Sequence, residues 1–202
     1  SSKFFIEAIE EAKIIEQNAL REEFFPSEKI SYKCEETGSV LSIIPDEIYK
    51  IETKIDFNTK VLGTQTASID SINEFKNEIS AARTFSFLHE LESLLENGLI
   101  KGGDLNNAIV YVDKPLGNSN MDRLKKAFNK DSISVKPNGI LDNLSLHYPN
   151  EAARHKLLDV IGDLALIGMK IRGKVTAEKP GHSINAKFAQ KISEVIKADR
   201  KN

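Results

Sequence analysis

Alternating apolar and polar residues between positions 30 and 57 constrain the fold most strongly. The stretches GSVLSIIP and YKIETKIDF place apolar residues at every second position, which predicts strands with one buried face. Gly38 and Pro45-Asp46 interrupt the alternation and predict turns, so we expect about three strands here. A sheet of this kind needs further apolar elements to cover its buried face.

Helical patterns elsewhere in the chain predict the elements that pack on the buried face of this sheet. Apolar residues recur at helical spacing over 3–16, and the segment 152–168 reads as a strongly apolar helix. A last helix is predicted from Ser183 as its N-cap, and further strands over 108–112 and 171–177. Strands mixed with packing helices predict an α+β fold, a two-layer α/β sandwich of a mixed sheet with packed helices.

The composition excludes several classes of protein. Lys and Arg number 28 against 30 Asp and Glu, a formal charge of −2 that argues against a nucleic-acid partner. No apolar run approaches the roughly 18 residues of a transmembrane segment, and the first residues do not resemble a secretory signal. The single cysteine, Cys34, excludes an internal disulfide and favours a reducing, cytoplasmic setting.

The segment RHKLLDVIGD carries the clearest chemical signal. His155 and Asp159 are four residues apart and Asp163 follows at the same interval, so the three side chains share one helix face. An imidazole nitrogen and a carboxylate oxygen so spaced can bind one zinc ion at about 2 Å. The same spacing also suits a His–Asp ion pair at a helix edge, so both interpretations stay open.

Two other stretches hold candidate residues. His182 lies in KPGHS, a turn between a strand and a helix, where an imidazole can act as a general acid or base beside a carboxylate such as Asp163. A solvent-exposed turn histidine is the alternative. Thr84, in the sequence RTF, offers a hydroxyl donor that can polarise a carbonyl group, which taken alone is a weak signal.

Three stretches occur together, and in order, in one known family. SAARTFSFLHELESLLENGLIKGGDLNNAIV (80–110), NEAARHKLLDVIGDLALIG (150–168) and KPGHSIN (179–185) resemble the zinc-dependent UDP-3-O-acyl-N-acetylglucosamine deacetylases of lipid A biosynthesis. The sequence looks most like the Bacteroidetes-type form, in which the deacetylase is often fused to an acyl-carrier-protein dehydratase.

The resemblance covers nearly the whole chain but only the second of the family's two similar α/β domains. It implies that 1–25 holds the last helix of a first domain and a linker, and that 26–202 is the second domain, with a βαβ insert at 87–112. The family's first domain supplies a zinc-binding histidine and a glutamate general base, and neither has a counterpart in this sequence. The chain is therefore expected to be half of an active site, inactive alone. The alternative is a non-catalytic domain that binds an acyl chain or a nucleotide.

The resemblance also implies roles for individual residues. His155 and Asp159 match the zinc ligands of the second domain. His182 matches the general acid, Asp163 its carboxylate partner, and Thr84 the hydroxyl that helps to polarise the acetamide carbonyl. The substrate is a UDP-sugar with an acyl chain. Its implied contacts are Lys156 and Lys179 near the diphosphate and nucleotide, Phe57 near the uracil, Phe85 as a further contact, and Leu88, Leu91, Ile100, Gly103, Ala108 and Val110 along the acyl chain.

The first predicted helix carries an apolar patch. Without a partner domain, the side chains of Phe4, Phe5, Ile6 and Ile9 would form a surface that soluble monomers rarely expose. We expect either self-association through this patch or a helix that folds back onto its own domain.

Overall fold

The computed structural model describes residues 1–91, 108–114, 122, 125, 131–142 and 144–200. The helices are α1 (Lys3–Ala12), α2 (Glu151–Ala165) and α3 (His182–Asp199). The strands are β1 (Glu23–Phe24), β2 (Ile30–Cys34), β3 (Ser39–Ile44), β4 (Tyr49–Asp56), β5 (Thr64–Ile69), β6 (Thr84–Phe87), β7 (Ala108–Tyr111), β8 (Lys170–Ile171) and β9 (Gly173–Glu178). A 3₁₀ turn at Ile72–Glu74 and a π-helical turn at Phe75–Ile79 precede β6.

Five strands form a mixed sheet in the order β2-β3-β9-β4-β5. The central strand β9 is antiparallel to β3 and parallel to β4. The strands predicted between 30 and 57 are confirmed as β2, β3 and β4. Along β4, Ile51, Thr53 and Ile55 are buried while the residues between them are exposed, as period-two alternation requires.

The chain divides into two compact units. The sheet unit comprises Ser1–Ile55, Gln65–Ala82 and Ala153–Asn202. The β6–β7 unit comprises Asp56–Thr64 and Arg83–Ala152.

The core of the sheet unit lies between its sheet and its helices. Side chains that are almost fully buried come from the strands (Leu41, Ile43, Ile51, Ile55 and Val175) and from the helices (Leu157, Val160, Leu164, Phe188 and Ile192). The buried Thr53 hydroxyl of β4 lies 3.2 Å from the Ala153 carbonyl oxygen of α2 and 3.4 Å from that of Ala67 in β5. These contacts attach the helix to the sheet, and the predicted α/β sandwich is confirmed.

The β6–β7 unit is built on two parallel strands. Thr84 pairs with Ala108 and Phe87 with Tyr111, and residues 88–91 are helical. Parallel strands need a crossover between them, and the predicted βαβ insert stays a prediction because residues 92–107 lie outside the described residues. Leu88, Val110, Ile133 and Leu141 form a buried cluster within the unit.

Helix α1 is shorter than predicted, and it leaves three residues of the predicted patch in solvent while Ile6 is half-buried. It ends at Ala12 instead of residue 16, and Lys13 has a φ of 65°. Phe4 and Phe5 are 76% and 73% exposed and Ile9 is 53% exposed, so the helix has not folded back by its apolar face. Polar contacts attach it instead, including an ion pair between Glu10 and Lys76 at 2.6 Å. No buried side chain sustains the helix beyond Ala12.

The exposed face of α1 predicts self-association in solution. We expect the 202-residue chain to form dimers or larger species in sedimentation velocity. The double substitution Phe4→Glu and Phe5→Glu should restore a monomer, because two charges cannot be buried in an apolar contact. Glu11→Gln, on the same helix, is the control and should leave the assembly unchanged. A native chain that stays monomeric at high concentration would contradict the prediction.

In the part of the chain that the structure describes, no helix combines the length and apolar character needed to cross a membrane.

Candidate metal centre

Helix α2 places a polar stripe against an apolar core. Leu157, Val160 and Leu164 are buried on one side of the helix. His155, Asp159 and Asp163 repeat every fourth residue on another, where their side chains are only 15%, 8% and 19% exposed. The face predicted from the spacing is therefore present, and it is more deeply set than an ordinary helix edge.

The side chains of His155 and Asp159, the two candidate metal ligands, lie close together. The His155 Nε2 lies 3.6 Å from Asp159 Oδ1, and the His155 Nδ1 lies 3.4 Å from the Ala82 carbonyl oxygen. A carbonyl can only accept, so His155 Nδ1 is the donor to Ala82, and Nε2 is the ring nitrogen that faces Asp159. A histidine ligand to a metal is usually fixed by such a second contact.

The electrostatics of His155 favour a neutral ring. Burial lowers the pKa of the His155 imidazole below its ordinary value, against the opposing effect of the Asp159 carboxylate. A metal-ligating histidine has to be deprotonated at its ligating nitrogen. The ring is therefore in a suitable form near neutral pH.

Two nitrogen-bearing side chains lie beside the carboxylate of Asp159. The Lys156 ammonium donates to Asp159 Oδ2 at 2.9 Å, and the His182 Nε2 lies 4.0 Å from the same oxygen. Lys156, which is predicted to contact the diphosphate, is therefore paired with the candidate metal ligand Asp159 in this structure. Lys179, the other predicted diphosphate contact, is exposed, and its φ of 50° turns the chain from β9 toward α3.

His182 lies at the start of α3 and faces Asp163. Its Nδ1 is 2.9 Å from Asp163 Oδ2 and 3.2 Å from Oδ1, and its side chain is 71% exposed. The predicted N-cap at Ser183 is wrong: the helix begins at His182, with Gly181 as N-cap and no side-chain cap. The structure thus brings the candidate general acid and its predicted carboxylate partner together.

The donor set fits part of a zinc site. Zinc takes imidazole nitrogen and carboxylate oxygen, and a catalytic zinc usually has three protein ligands. Among the described residues, no group of three or more His, Cys, Asp or Glu side chains is arranged to hold a metal ion. His155 and Asp159, the two predicted ligands, would supply two of those three positions.

The remaining predicted residues that the structure describes lie in the β6–β7 unit. Thr84 is exposed at the start of β6, and the Phe57 and Phe85 rings meet edge to face with centroids 5.4 Å apart. Phe87 and Tyr111 extend this aromatic cluster. Of the residues predicted along the acyl chain, Leu88 and Val110 are buried in the unit's core, Leu91 packs against that core, Ala108 is half-buried, and Ile100 and Gly103 lie outside the described residues.

A sequence profile described as LpxC, UDP-3-O-acyl N-acetylglycosamine deacetylase, matches residues 1–130 and 120–194. The chain belongs to this deacetylase family. The resemblance found in the three sequence motifs is thereby confirmed.

Curated relatives from several bacteria agree with the deacetylase family. The chain is 39% identical over 197 residues to the bifunctional enzyme LpxC/FabZ of Bacteroides thetaiotaomicron, covering 98% of this chain and 43% of that protein. It is 41% identical to the enzyme of the same name from Porphyromonas gingivalis, with the same coverage. The UDP-3-O-acyl-N-acetylglucosamine deacetylase of Nitratidesulfovibrio vulgaris is 33% identical, covering 96% of this chain and 54% of that protein. The chain spans about half the length of the curated relatives it matches.

Sequence reasoning on this deacetylase-family chain missed several residues that shape its sites. The Ala82 carbonyl beside His155 carries no sequence signal, because every residue has a carbonyl group. Asn185 donates to Asp163. The sequence signal for this contact was its position three residues after His182, which places both side chains on one face of the helix. The buried Glu151 binds Arg83 across 68 residues of sequence, and spacing alone does not predict such a contact.

Proposed function

We propose that this chain forms one half of a zinc-dependent amide hydrolase that deacetylates UDP-3-O-acyl-N-acetylglucosamine in lipid A biosynthesis. The observation that carries the proposal is the convergence of two imidazoles on Asp159, with His155 Nε2 at 3.6 Å and His182 Nε2 at 4.0 Å. Membership of the deacetylase family supports the same reaction. The site would work in the cytoplasm, as the single cysteine suggests.

His155 and Asp159 would hold the zinc ion. When bound, zinc activates water and polarises a carbonyl oxygen as a Lewis acid. A third protein ligand and the base that takes the proton of the attacking water would come from a first domain, the proposed partner of this chain. The neutral His155 ring, fixed through Nδ1 by Ala82, is suited to bind through Nε2.

His182 would be the general acid of the reaction. Asp163 accepts from its Nδ1 and stabilises the imidazolium, which leaves the proton on Nε2 free to be donated. As the bond between the acetyl carbon and the amide nitrogen breaks, that nitrogen takes the Nε2 proton. Water supplies one oxygen of the acetate product, the acetamide carbonyl supplies the other, and the sugar keeps a free amine.

The other predicted residues would bind and orient the substrate. Thr84, an exposed hydroxyl, would donate to the acetamide oxygen as negative charge develops on it. Lys156 and Lys179 would face the diphosphate and nucleotide, and Phe57 and Phe85 the uracil end. The acyl chain would run along the β6–β7 unit, past Leu88, Leu91, Ile100, Gly103, Ala108 and Val110.

A second candidate function is a binding domain without catalysis. It is favoured by the donor count, because the described residues supply two metal donors and no group of three. Such a domain would bind an acyl chain or a nucleotide and would have no catalytic activity.

A chimaeric enzyme tests the proposed function directly. The 197 residues of the Porphyromonas gingivalis bifunctional enzyme that match this chain would be replaced by it. We expect the chimaera to release acetate from UDP-3-O-acyl-N-acetylglucosamine and to lose this activity in the variant His155→Ala. A folded chimaera that binds the substrate without releasing acetate would favour the binding domain instead.

The chain alone is expected to show no measurable deacetylation. Two ligands hold zinc weakly, and the proposed base is not among its residues. The measurement is acetate release by the purified 202-residue chain with added zinc, with the chimaera as positive control. Metal-dependent turnover by the chain itself would overturn the half-site proposal.

A further inference from the structure

Asn185 is a buried polar residue next to the candidate general acid. It lies in the first turn of α3 and has 0% exposure. Its side-chain Nδ2 donates to Asp163 Oδ2 at 2.8 Å, and its backbone N–H donates to the Gly181 carbonyl at 2.8 Å. Its Oδ1 is buried and has no hydrogen-bond partner among the described residues.

The orientation of this amide follows from charge. The opposite orientation would set the amide oxygen against the Asp163 carboxylate, so the donor has to face Asp163. The Oδ1 then stays without a donor, and a buried unpaired acceptor carries its full desolvation cost. A leucine of similar volume would avoid that cost. Leucine would also remove the donor to Asp163, so the contact with Asp163 is the one interaction of this side chain that accounts for an amide here.

Asp163 connects Asn185 to His182. Its Oδ2 accepts both from Asn185 Nδ2 at 2.8 Å and from His182 Nδ1 at 2.9 Å. Two donors on one oxygen fix the rotation of the carboxylate. The His182 ring is 71% exposed, and packing does little to orient it, so the carboxylate sets its orientation.

We infer that Asn185 is a positioning residue, which locks the Asp163 carboxylate and through it holds His182 with the proton on Nδ1 and Nε2 directed away from Asp163. The catalytic consequence rests on the proposed function of His182, while the orientation itself does not. The unpaired Oδ1 is the structural cost of keeping a donor in this position.

Histidine tautomers, measured by long-range proton–nitrogen NMR, test this inference on the 202-residue chain. The chain is labelled with ¹⁵N-histidine, and the spectra are recorded at alkaline pH, where histidine rings are neutral. The carbon-bound ring protons do not exchange with water, and their couplings report which ring nitrogen carries the proton. We expect the Nδ1–H tautomer of His182 in the native chain. In Asn185→Leu the population should move toward Nε2–H by at least half of the shift seen in Asp163→Asn. Ser193→Ala, which removes a hydroxyl on the same helix, should cause no shift.

Thermal stability separates positioning from packing. Removing both the donor and the unpaired acceptor in Asn185→Leu should change Tm by less than about 4 °C. If leucine does not fit and the variant unfolds, Asn185→Ala gives the same tautomer test, because the smaller alanine side chain fits without a clash. An unchanged tautomer in either folded variant would overturn the inference whatever the Tm, and a large fall in Tm beside it would show that Asn185 acts through packing alone.

Kinetics of the chimaeric enzyme extend the test to catalysis. Asn185→Leu should lower kcat about tenfold, because Asn185 acts on His182 only through Asp163, and KM and zinc content should stay unchanged. A changed tautomer with unchanged kcat in an active chimaera would refute the catalytic part of the inference. If the chimaera itself is inactive, the proposed function fails, and the tautomer result still decides whether Asn185 positions His182.

Discussion

Replacing His182 by alanine in the chimaeric enzyme is expected to lower kcat by about 10²–10⁴-fold without loss of zinc. The residue would donate a proton, and its Nδ1 is occupied by Asp163 at 2.9 Å, so its removal leaves the two ligand donors in place. The basic limb of the pH–rate profile should disappear with it, because that limb would report loss of the imidazolium proton. Metal content and the pH dependence of kcat are the measurements.

His155→Ala is the matched comparison for this prediction. It removes a ligand donor that shares a helix face with Asp159, so zinc should be lost together with the rate. Asp159→Ala should behave in the same way. If His182→Ala lost zinc while His155→Ala kept both zinc and rate, the assignment of ligand and acid would be reversed.

Replacing Glu151 by alanine is expected to lower the free energy of unfolding by about 3–5 kcal/mol. The Glu151 carboxylate is fully buried and accepts from Arg83 Nε at 2.8 Å, Arg83 Nη2 at 3.0 Å and the His147 N–H at 2.7 Å. Its loss would leave the Arg83 guanidinium, only 13% exposed, without a counter-charge. Urea denaturation followed by circular dichroism measures the change.

An exposed pair provides the control for Glu151. Glu178 pairs with Lys54 at 2.7 Å, and both side chains are 50% exposed, so Glu178→Ala should cost about 0–1 kcal/mol. Equal effects of the two substitutions would show that burial does not strengthen the Arg83 pair.

The stabilisation by Glu151 should also depend on pH. Burial raises the pKa of Glu151, but hydrogen bonds from Arg83 and from the His147 N–H lower it more, so the pKa lies below its ordinary value. The contribution is fully present above the ordinary carboxyl pKa of about 4.3, and it is lost as the pH falls through the folded-state value. The difference in unfolding free energy between the native chain and Glu151→Gln should therefore shrink below about pH 4.

Sequence motifs were sufficient to recognise the deacetylase family, and they supplied candidate site residues whose roles stay predictions. Family recognition depends on several separated motifs in a fixed order, and those are properties of the sequence itself. The same is true of the shared face of His155, Asp159 and Asp163, because helical spacing is local and α2 keeps it over its whole length. The strands of the large sheet were likewise predictable from period-two alternation.

Contacts that cross the sequence were decided by tertiary structure. Ala82 meets His155 across 73 residues, Glu151 meets Arg83 across 68, and the parallel pairing of β4 with β9 joins distant segments. Neither periodicity nor spacing encodes such partners. The same holds for helix ends: α3 begins one residue before the predicted cap, and α1 stops at Ala12.

The sequence by itself determined which side chains of this chain are candidates for chemistry, and it placed His155, Asp159 and Asp163 on one helix face, because helical spacing follows from local backbone geometry. Only the tertiary structure decided which groups meet: His155 Nδ1 lies beside the Ala82 carbonyl, and Asp163 contacts both His182 and Asn185. The physical reason is that a hydrogen bond depends on distance and angle between groups that folding brings together, whatever their separation along the chain.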